Sequence, residues 1–410
     1  MAPDPVLHLP SVYFPESWRV WPGAAKNYRK FVSSFKPLAA RALLMSGADD
    51  TLILHKLPDE RYLEILRACG AGGATRLVPS HRSGSCLAED IMQSQRIMEY
   101  IRAWRGHVEP YMVTRMEEQL AQSAGLAPFS AAPGVVELLN DKVFFQRLLE
   151  DLDLPRVETV TGNSDAVAAR LRRWDRGGAI VRGAKGVGGS RTYVADSREK
   201  LGALADAIER KGKGGLYLLA PLLDIKASPN LQFYIDDAGI TLFGETVQIM
   251  DKGFGHTGNL FDAVDEEDIR MTLRGQGTAL AREAAGLDYR GVVGIDFIVT
   301  AEGRVHAVEM NARHNTSTHA IWFLNRLVTG DPMLMAESGL GGFVRFKSAK
   351  SLSAMEWIAL LGDDAFNTSS KVGVLPYDTG TEELSALIMG RDTEDRERMV
   401  NKAREVSGDC

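Results

Sequence analysis

The strongest constraint on this chain is the stretch Gly294-Ile-Asp-Phe-Ile-Val-Thr-Ala-Glu-Gly-Arg-Val-His-Ala-Val-Glu-Met-Asn-Ala-Arg313, in which two alternating apolar runs flank Glu302-Gly303. Period-two alternation around a glycine-bearing turn predicts a β-hairpin. With the turn centred between Glu302 and Gly303, Asp296 stands opposite Glu309, and Asn311 shares their face because side chains alternate along a strand. Two facing carboxylates repel by up to ~1 kcal/mol unless a cation lies between them. Asp, Glu and Asn oxygens with open positions suit Mg2+, with Mn2+ as an alternative. The competing reading is a solvated hairpin whose acidic residues happen to align.

The 410 residues are 45% hydrophobic and 25% charged, the make-up of a soluble globular protein of several packed units. A net charge of -6 argues against a nucleic-acid surface, and the basic run Arg170, Arg172, Arg173, Arg176 is interrupted by Asp175, as on a solvated helix face. The first residues lack the basic-then-apolar pattern of a secretory signal, and no apolar run approaches the ~20 residues that span a bilayer. A cytoplasmic location is expected, with no membrane partner. Cys69, Cys86 and Cys410 share no metal-ligand spacing and read as structural filler.

Short apolar runs at Ala42–Met45 and Thr51–Leu54 predict strands, and Glu60–Cys69 and Leu87–Trp104 predict helices. This alternation implies an α/β first domain ending in the Gly- and Pro-rich break from Ser123 to Gly134. Val135–Leu152 and Ser164–Trp174 predict helices, the latter with Ser164 as its N-cap. The chain then becomes strand-rich, with one helix at Glu266–Leu287 and a charged, exposed one at Asp392–Val406.

Ala179-Ile-Val-Arg-Gly-Ala-Lys-Gly-Val-Gly-Gly-Ser-Arg-Thr-Tyr-Val194 reads as strand, glycine-rich loop, strand. It leads into β-branched and aromatic residues rather than a helix, so it is not a Walker A loop. Such a loop can fold over phosphates as a lid, since absent side chains let backbone N–H groups approach anionic oxygens, or it can be a plain hairpin turn. Lys252–Asn259 reads as a polar glycine-rich loop whose His256 and Asn259 are candidates to recognise an acid or an amine; a loop histidine is otherwise inert. His314 and His319 follow the carboxylate hairpin, as pocket-lining or capping residues.

Gly294-Ile-Asp-Phe followed by Glu309-Met-Asn-Ala-Arg resembles the metal-binding core of the ATP-grasp superfamily. The resemblance implies an α/β and α+β protein: an α/β pre-ATP-grasp domain at 1–130, an ATP-grasp lid lobe at 131–218, a metal-binding lobe at 219–340 and a small C-terminal α+β extension at 341–410. It implies ATP bound with Mg2+ on Asp296, Glu309 and Asn311. Arg313 would contact a phosphoryl oxygen or substrate, although Ala312 replaces the usual proline before it. Lys142 matches the first phosphate-contacting lysine, Arg182 stands for the second, and Lys185, Gly186, Gly188, Gly189 and Ser190 fall on the lid. Tyr217–Leu223 resembles the hinge, with Ala220 and Leu222 at the adenine and Asn230, or else Asp224, at the ribose. By resemblance Arg182 and Arg313 carry the chemistry, with His256 and Asn259 as the loop's own candidates beside them, and the expected activity joins a small-molecule carboxylate, activated as an acyl phosphate, to an amine such as an amino acid or peptide. A homodimer is an open possibility. The alternatives are an ATP-grasp carboxylase or phosphotransferase, and a non-catalytic nucleotide-binding module.

Overall fold

Three sheets organise the chain in a computed structural model that describes residues 5–13, 32–33, 35–82, 84–127, 129, 131–186, 191–211, 215–251, 255–261, 264, 266–336, 340–377 and 382–408. The first contains β1 (Val6–Leu9), β2 (Thr51–Ile53), β3 (Thr75–Leu77) and β4 (His107–Pro110), all parallel in the order β3-β2-β1-β4. Parallel neighbours need crossovers, supplied here by helices such as Glu60–Ala68 and Gln95–Ala103.

The second sheet contains β5 (Val160–Gly162), β6 (Ala179–Gly183), β7 (Thr192–Ala195) and β8 (Tyr217–Pro221), antiparallel in the order β5-β8-β6-β7. Two helices, Ser164–Arg172 and Arg198–Lys211, pack with it. Its own core of Val167, Leu171, Val181, Leu204 and Leu219 is separate from the rest. By contrast, Leu7 and Leu9 of the first sheet share a continuous core with Leu231, Val293 and Ile295 of the third. The first and third sheets therefore form one packed body on which the small second sheet sits as a separately cored lobe.

The third sheet holds β9 (Ile225–Ala227), β10 (Pro229–Ile235), β11 (Ile240–Met250), β12 (His256–Leu260), β13 (Gly291–Thr300), β14 (Val305–Asn311), β15 (Gly341–Lys347), β16 (Gly373–Pro376) and β17 (Glu383–Met389). Its order is β14-β13-β10-β11-β12-β15-β17-β16, with β9 beside β13. The residues after 340 thus extend the third sheet rather than forming a sheet of their own, and β8 carries the second sheet to Pro221, past the expected boundary at 218.

Several local expectations are corrected. Ala42–Met45 is helical, not a strand, continuing a 3-10 helix over Lys36–Arg41 that Pro37 opens. All four residues are buried, and a short apolar run carries no period that separates a buried helix from a strand. Leu87–Trp104 is two helices, Leu87–Met92 and Gln95–Ala103, and Val135–Leu152 is likewise two, Pro133–Leu139 and Lys142–Asp151. In the second pair the Asp141 side chain accepts from the Val143 N–H, 2.8 Å away, which caps a new helix start. Asn163, not Ser164, caps the helix that follows. His256 and Asn259 lie on β12, not in a loop, because β11 and β15 pair with that segment on either side; Lys252, Gly253 and Phe254 lie outside the described residues.

Candidate active site between two lobes

The carboxylate hairpin has the expected pairing at its functional end: Asp296 faces Glu309 and Gly294 faces Asn311. Nearer the turn the register slips by one, with Phe297 opposite Ala307. Gly303 adopts φ 79°, and its N–H donates to the Thr300 carbonyl in a loop of three residues, Ala301 to Gly303, one more than a turn on Glu302-Gly303 alone suggests. Val308 is the extra residue of a β-bulge that compensates for that turn. Without the bulge, Glu309 would fall on the opposite face.

Asp296, Glu309 and Asn311 line one cleft of about 840 Å3, together with Arg182, Asn230 and Arg313. Asp296 accepts hydrogen bonds from Asn230 Nδ2 at 2.7 Å and Gln248 Nε2 at 2.8 Å on one oxygen and from Asn311 Nδ2 at 3.0 Å on the other. Gln232 braces Asn230 from behind, its Nε2 donating at 2.9 Å to the Asn230 Oδ1. Burial and the neighbouring Glu309 push the Asp296 carboxyl up to about 6. Burial also opposes ionisation of Glu309, but the charges of Lys142 and Arg182 outweigh it and hold this carboxyl below its ordinary range.

The donor set fits a hard dication. Among the described residues no group of three or more His, Cys, Asp or Glu converges on one point, so a metal here takes two carboxylates and an amide from the protein. That is an open oxygen set, as Mg2+ bridging phosphates requires. The raised Asp296 carboxyl is what two buried, like-charged acids produce when no cation separates them.

Two cations reach this patch, one from a helix of the main core and one from the second sheet. Lys142, at the first turn of its helix, places Nζ 3.0 Å from Glu309 Oε1, and its N–H donates to the Ala184 carbonyl. Arg182 Nη1 donates at 3.3 Å to the Val308 carbonyl, the bulged residue. Both predicted phosphate cations therefore sit beside the carboxylate hairpin, with Lys142 resting on Glu309. Lys185 is elsewhere, 3.9 Å from the carboxylates of Glu137 and Asp141. Gly188, Gly189 and Ser190 lie outside the described residues. Gly186 is described but does not line the cleft. Past the loop, Arg191 lies over the Tyr217 ring at 4.7 Å and donates to the Lys185 carbonyl at 3.1 Å. Gly183 permits this, since a Cβ there would meet the Arg191 guanidinium at 2.5–2.8 Å.

Ala220 and Leu222 line an apolar slot with Ile180, Phe297 and Val308. The Leu222 N–H is already bonded to the Gly178 carbonyl, so it cannot read an adenine edge as well. Asp224 is not on the wall; its carbonyl accepts from the Ala301 N–H. Arg313 donates to Asn140 Oδ1, which ties the end of the Pro133–Leu139 helix to the end of the hairpin.

At the other end His256 Nε2 lies 2.7 Å from Asn259 Oδ1, and Asn259 Nδ2 donates to Thr246 Oγ1 at 2.9 Å. A bulge on β12, where Met250 faces His256 but Ile249 faces Gly258, lets these two side chains meet although they are three residues apart. Burial and the positive Arg345 push the His256 imidazole down to about 4.

Sequence reasoning missed Gln248, which lies on a strand whose polar alternation gives no sign that it points at a carboxylate. It also missed Glu109, on β4. This buried carboxylate takes His314 Nε2 at 2.7 Å on one oxygen and His107 Nε2 at 3.0 Å and the Tyr234 hydroxyl at 3.2 Å on the other. His314 lines the cleft through this link, whereas His319 is buried against Phe343 and Tyr377. Little in the sequence around Glu109 marks it: His107 is two residues away on the same strand, but Tyr234 and His314 come from distant segments.

No protein-family model matches the chain. Over 299 residues it is 25% identical to the carbamoyl phosphate synthase arginine-specific large chain of Geobacillus stearothermophilus, a match that takes in 70% of this chain and 27% of that protein. The chain thus spans about a quarter of that relative's length. Among solved structures it is similar to an N5-carboxyaminoimidazole ribonucleotide synthetase in complex with ADP (TM-score 0.59, 12% identity, 99% of this chain and 97% of the other). It is similar also to the L-amino acid ligase of Bacillus licheniformis (0.57, 12%, 99% and 97%) and to the biotin carboxylase of Campylobacter jejuni (0.60, 13%, 98% and 91%).

Proposed function

We propose that this chain, which has the ATP-grasp fold of its structural neighbours with a pre-ATP-grasp domain in front, is an ATP-dependent ligase that activates a carboxylate and joins it to an amine. The observation that carries this reading is the convergence of Asp296, Glu309 and Asn311 on one face of a cleft, with Arg182 reaching them from a separately cored lobe and Lys142 from a helix packed into the main core.

Mg2+, held by Asp296, Glu309 and Asn311, would supply charge neutralisation to a triphosphate. The chain's own residues position and shield. Lys142, now on Glu309, and Arg182 are placed to meet phosphate oxygens, and an arginine grips such oxygens in bidentate fashion. The apolar slot by Ala220 and Leu222 suits a flat base. Asn230 is already committed to Asp296 and so acts through it rather than on a ribose. In the reaction a carboxylate oxygen of the substrate attacks the γ-phosphorus of ATP and ADP leaves, giving an acyl phosphate. The amine nitrogen then attacks the acyl carbon, phosphate leaves, and the amine loses a proton. Such transfer depends mainly on alignment and electrostatics, which this cleft provides. Closure of the lid lobe would exclude water from the mixed anhydride.

A second reading is favoured by the sequence match to a carbamoyl phosphate synthase and the fold match to carboxyaminoimidazole ribonucleotide synthetases: bicarbonate as the activated acid. One screen separates the two. ADP release is followed with pairs of amino acids and, in parallel, with bicarbonate plus amines, using Glu309→Ala as the control. Release that needs both an amino acid and a second amine, and that falls by roughly 10³-fold in the variant, supports the amide ligase. Release driven by bicarbonate alone moves the assignment to a carboxylase. If Glu309→Ala turns over ATP at the parental rate, the metal assignment is wrong.

A further inference from the structure

We infer that the substrate occupying the far end of the cleft carries an additional anionic group, a phosphate or carboxylate, that is gripped by Arg41 and Arg345. The inference rests on the ligase reading and adds to it the charge of a substrate.

Arg41 closes the Lys36–Arg41 helix of the first domain and is only 8% exposed. Its Nε is buried with no hydrogen-bond partner, and among the described residues no carboxylate pairs with it. What surrounds it is the Tyr377 ring, 6.0 Å from the guanidinium carbon, and a set of cationic or basic groups: its charge acts on Arg345, His256 and His319. Arg345, on β15, donates through Nη2 to the His256 carbonyl, but its Nε too is buried and unpartnered. Glu383, whose field reaches Arg345, forms no ion pair with it. Burying one guanidinium without a counter-charge is strongly unfavourable, and burying two as neighbours more so, unless an anion joins them.

Both arginines line the same cleft as the carboxylate hairpin, and so does His256. They are nevertheless a different set from the cations at the hairpin, where Lys142, Arg182 and Arg313 act on Asp296 and Glu309. A fixed relay separates the two ends. Arg345 bonds His256, His256 bonds Asn259, Asn259 bonds Thr246, and Thr246 Oγ1 lies 3.4 Å from the carbonyl of Asn230, which holds Asp296. Because Asn259 donates to Thr246, its Oδ1 receives the His256 Nε2 proton. The neutral imidazole then adds no third positive charge, and two arginines line this end of the cleft. Guanidinium forks match the spacing of oxyanion oxygens, and two positive charges are balanced by one dianion, which favours phosphate over a single carboxylate.

The test is a binding experiment on the full chain saturated with Mg2+ and a non-hydrolysable ATP analogue, so that the triphosphate site is filled. Inorganic phosphate and acetate are each titrated by calorimetry into the parent, Arg41→Gln and Arg345→Gln. The expected result is measurable anion binding by the parent, weakened at least tenfold in each variant with analogue affinity unchanged. Tighter phosphate than acetate assigns a phosphate group, and the reverse assigns a carboxylate; both support the site. No binding by the parent, or equal binding by parent and variants, overturns it. A second readout guards against a merely structural arginine: Arg41→Met should raise the thermal midpoint of the ligand-free chain, because an uncompensated buried cation is gone, and a lowered midpoint overturns the inference. None of these measurements involves turnover, so the ligase reading stands or falls separately on the ADP-release screen.

Discussion

Glu109→Gln tests how the first sheet is fastened to the third. Burial opposes charge on Glu109, yet hydrogen bonds from His107 and His314 hold its carboxyl down to about 2, against an ordinary 4.5. A depression of about 2.5 units at about 1.4 kcal/mol each amounts to about 3 kcal/mol. Because the folded value is the lower one, that stability is fully present above pH 4.5 and is lost as pH falls from 4.5 toward 2. An independent figure agrees, since removing one partner of a buried charged pair costs about 3–5 kcal/mol. The variant should therefore be about 3 kcal/mol less stable at pH 7, a fall in thermal midpoint on the order of 5 °C, and its stability should lack the parental drop between pH 4.5 and 2. The reporter is native: Trp322 packs against Tyr234 at 6.3 Å and His314 at 6.1 Å between ring centroids, so its fluorescence follows this junction. Acid titration and melting of parent and variant side by side give the answer. If Glu109→Gln keeps both the parental midpoint and the parental acid limb, the buried carboxylate does not fasten the two parts and the reasoning is wrong.

Gln248→Leu removes one donor that aims Asp296; the Mg2+ concentration for half-maximal ADP release should rise roughly tenfold, whereas an unchanged Mg2+ dependence would contradict this. His256 is held at about 4 against 6.5 unfolded, so it contributes stability that is complete above pH 6.5 and lost as pH falls toward 4. Denaturation of His256→Gln should show that slope missing, and an unchanged slope would exclude the histidine as its source. A Cβ at Gly258 would strike the Phe343 carbonyl and come within 3.1 Å of Val344 Cα, so Gly258→Ala should cost about 2 kcal/mol by forcing β12 from β15, measured as a lower denaturation midpoint.

The hairpin was legible because its evidence is local: alternation, a glycine turn and three polar residues on one face are all written within one segment. Its bulge was not, since Val308 and the longer loop compensate and leave the alternation at Asp296 and Glu309 intact. Ala42–Met45 failed for the opposite reason, being too short to show any period. The strand at His256–Leu260 was hidden because His-Thr-Gly-Asn reads as a turn; only its two neighbours, one from more than eighty residues later in the chain, make it a strand. The same holds for Glu109, Gln248, Arg41 and Arg345. Each owes its role to partners that the fold, not the sequence neighbourhood, brings alongside.

The order of strands in the large sheet has a temporal consequence. β12, which carries His256 and Asn259, is bordered on one side by β15, and β15 comes from Gly341–Lys347. On a ribosome, everything needed for the carboxylate hairpin has emerged while this edge still lies bare, with unpaired amides open to a stray strand. The wall that carries Arg345 is finished only when the late strands arrive. A nascent chain can therefore assemble the carboxylate end of the cleft before the wall opposite it is complete.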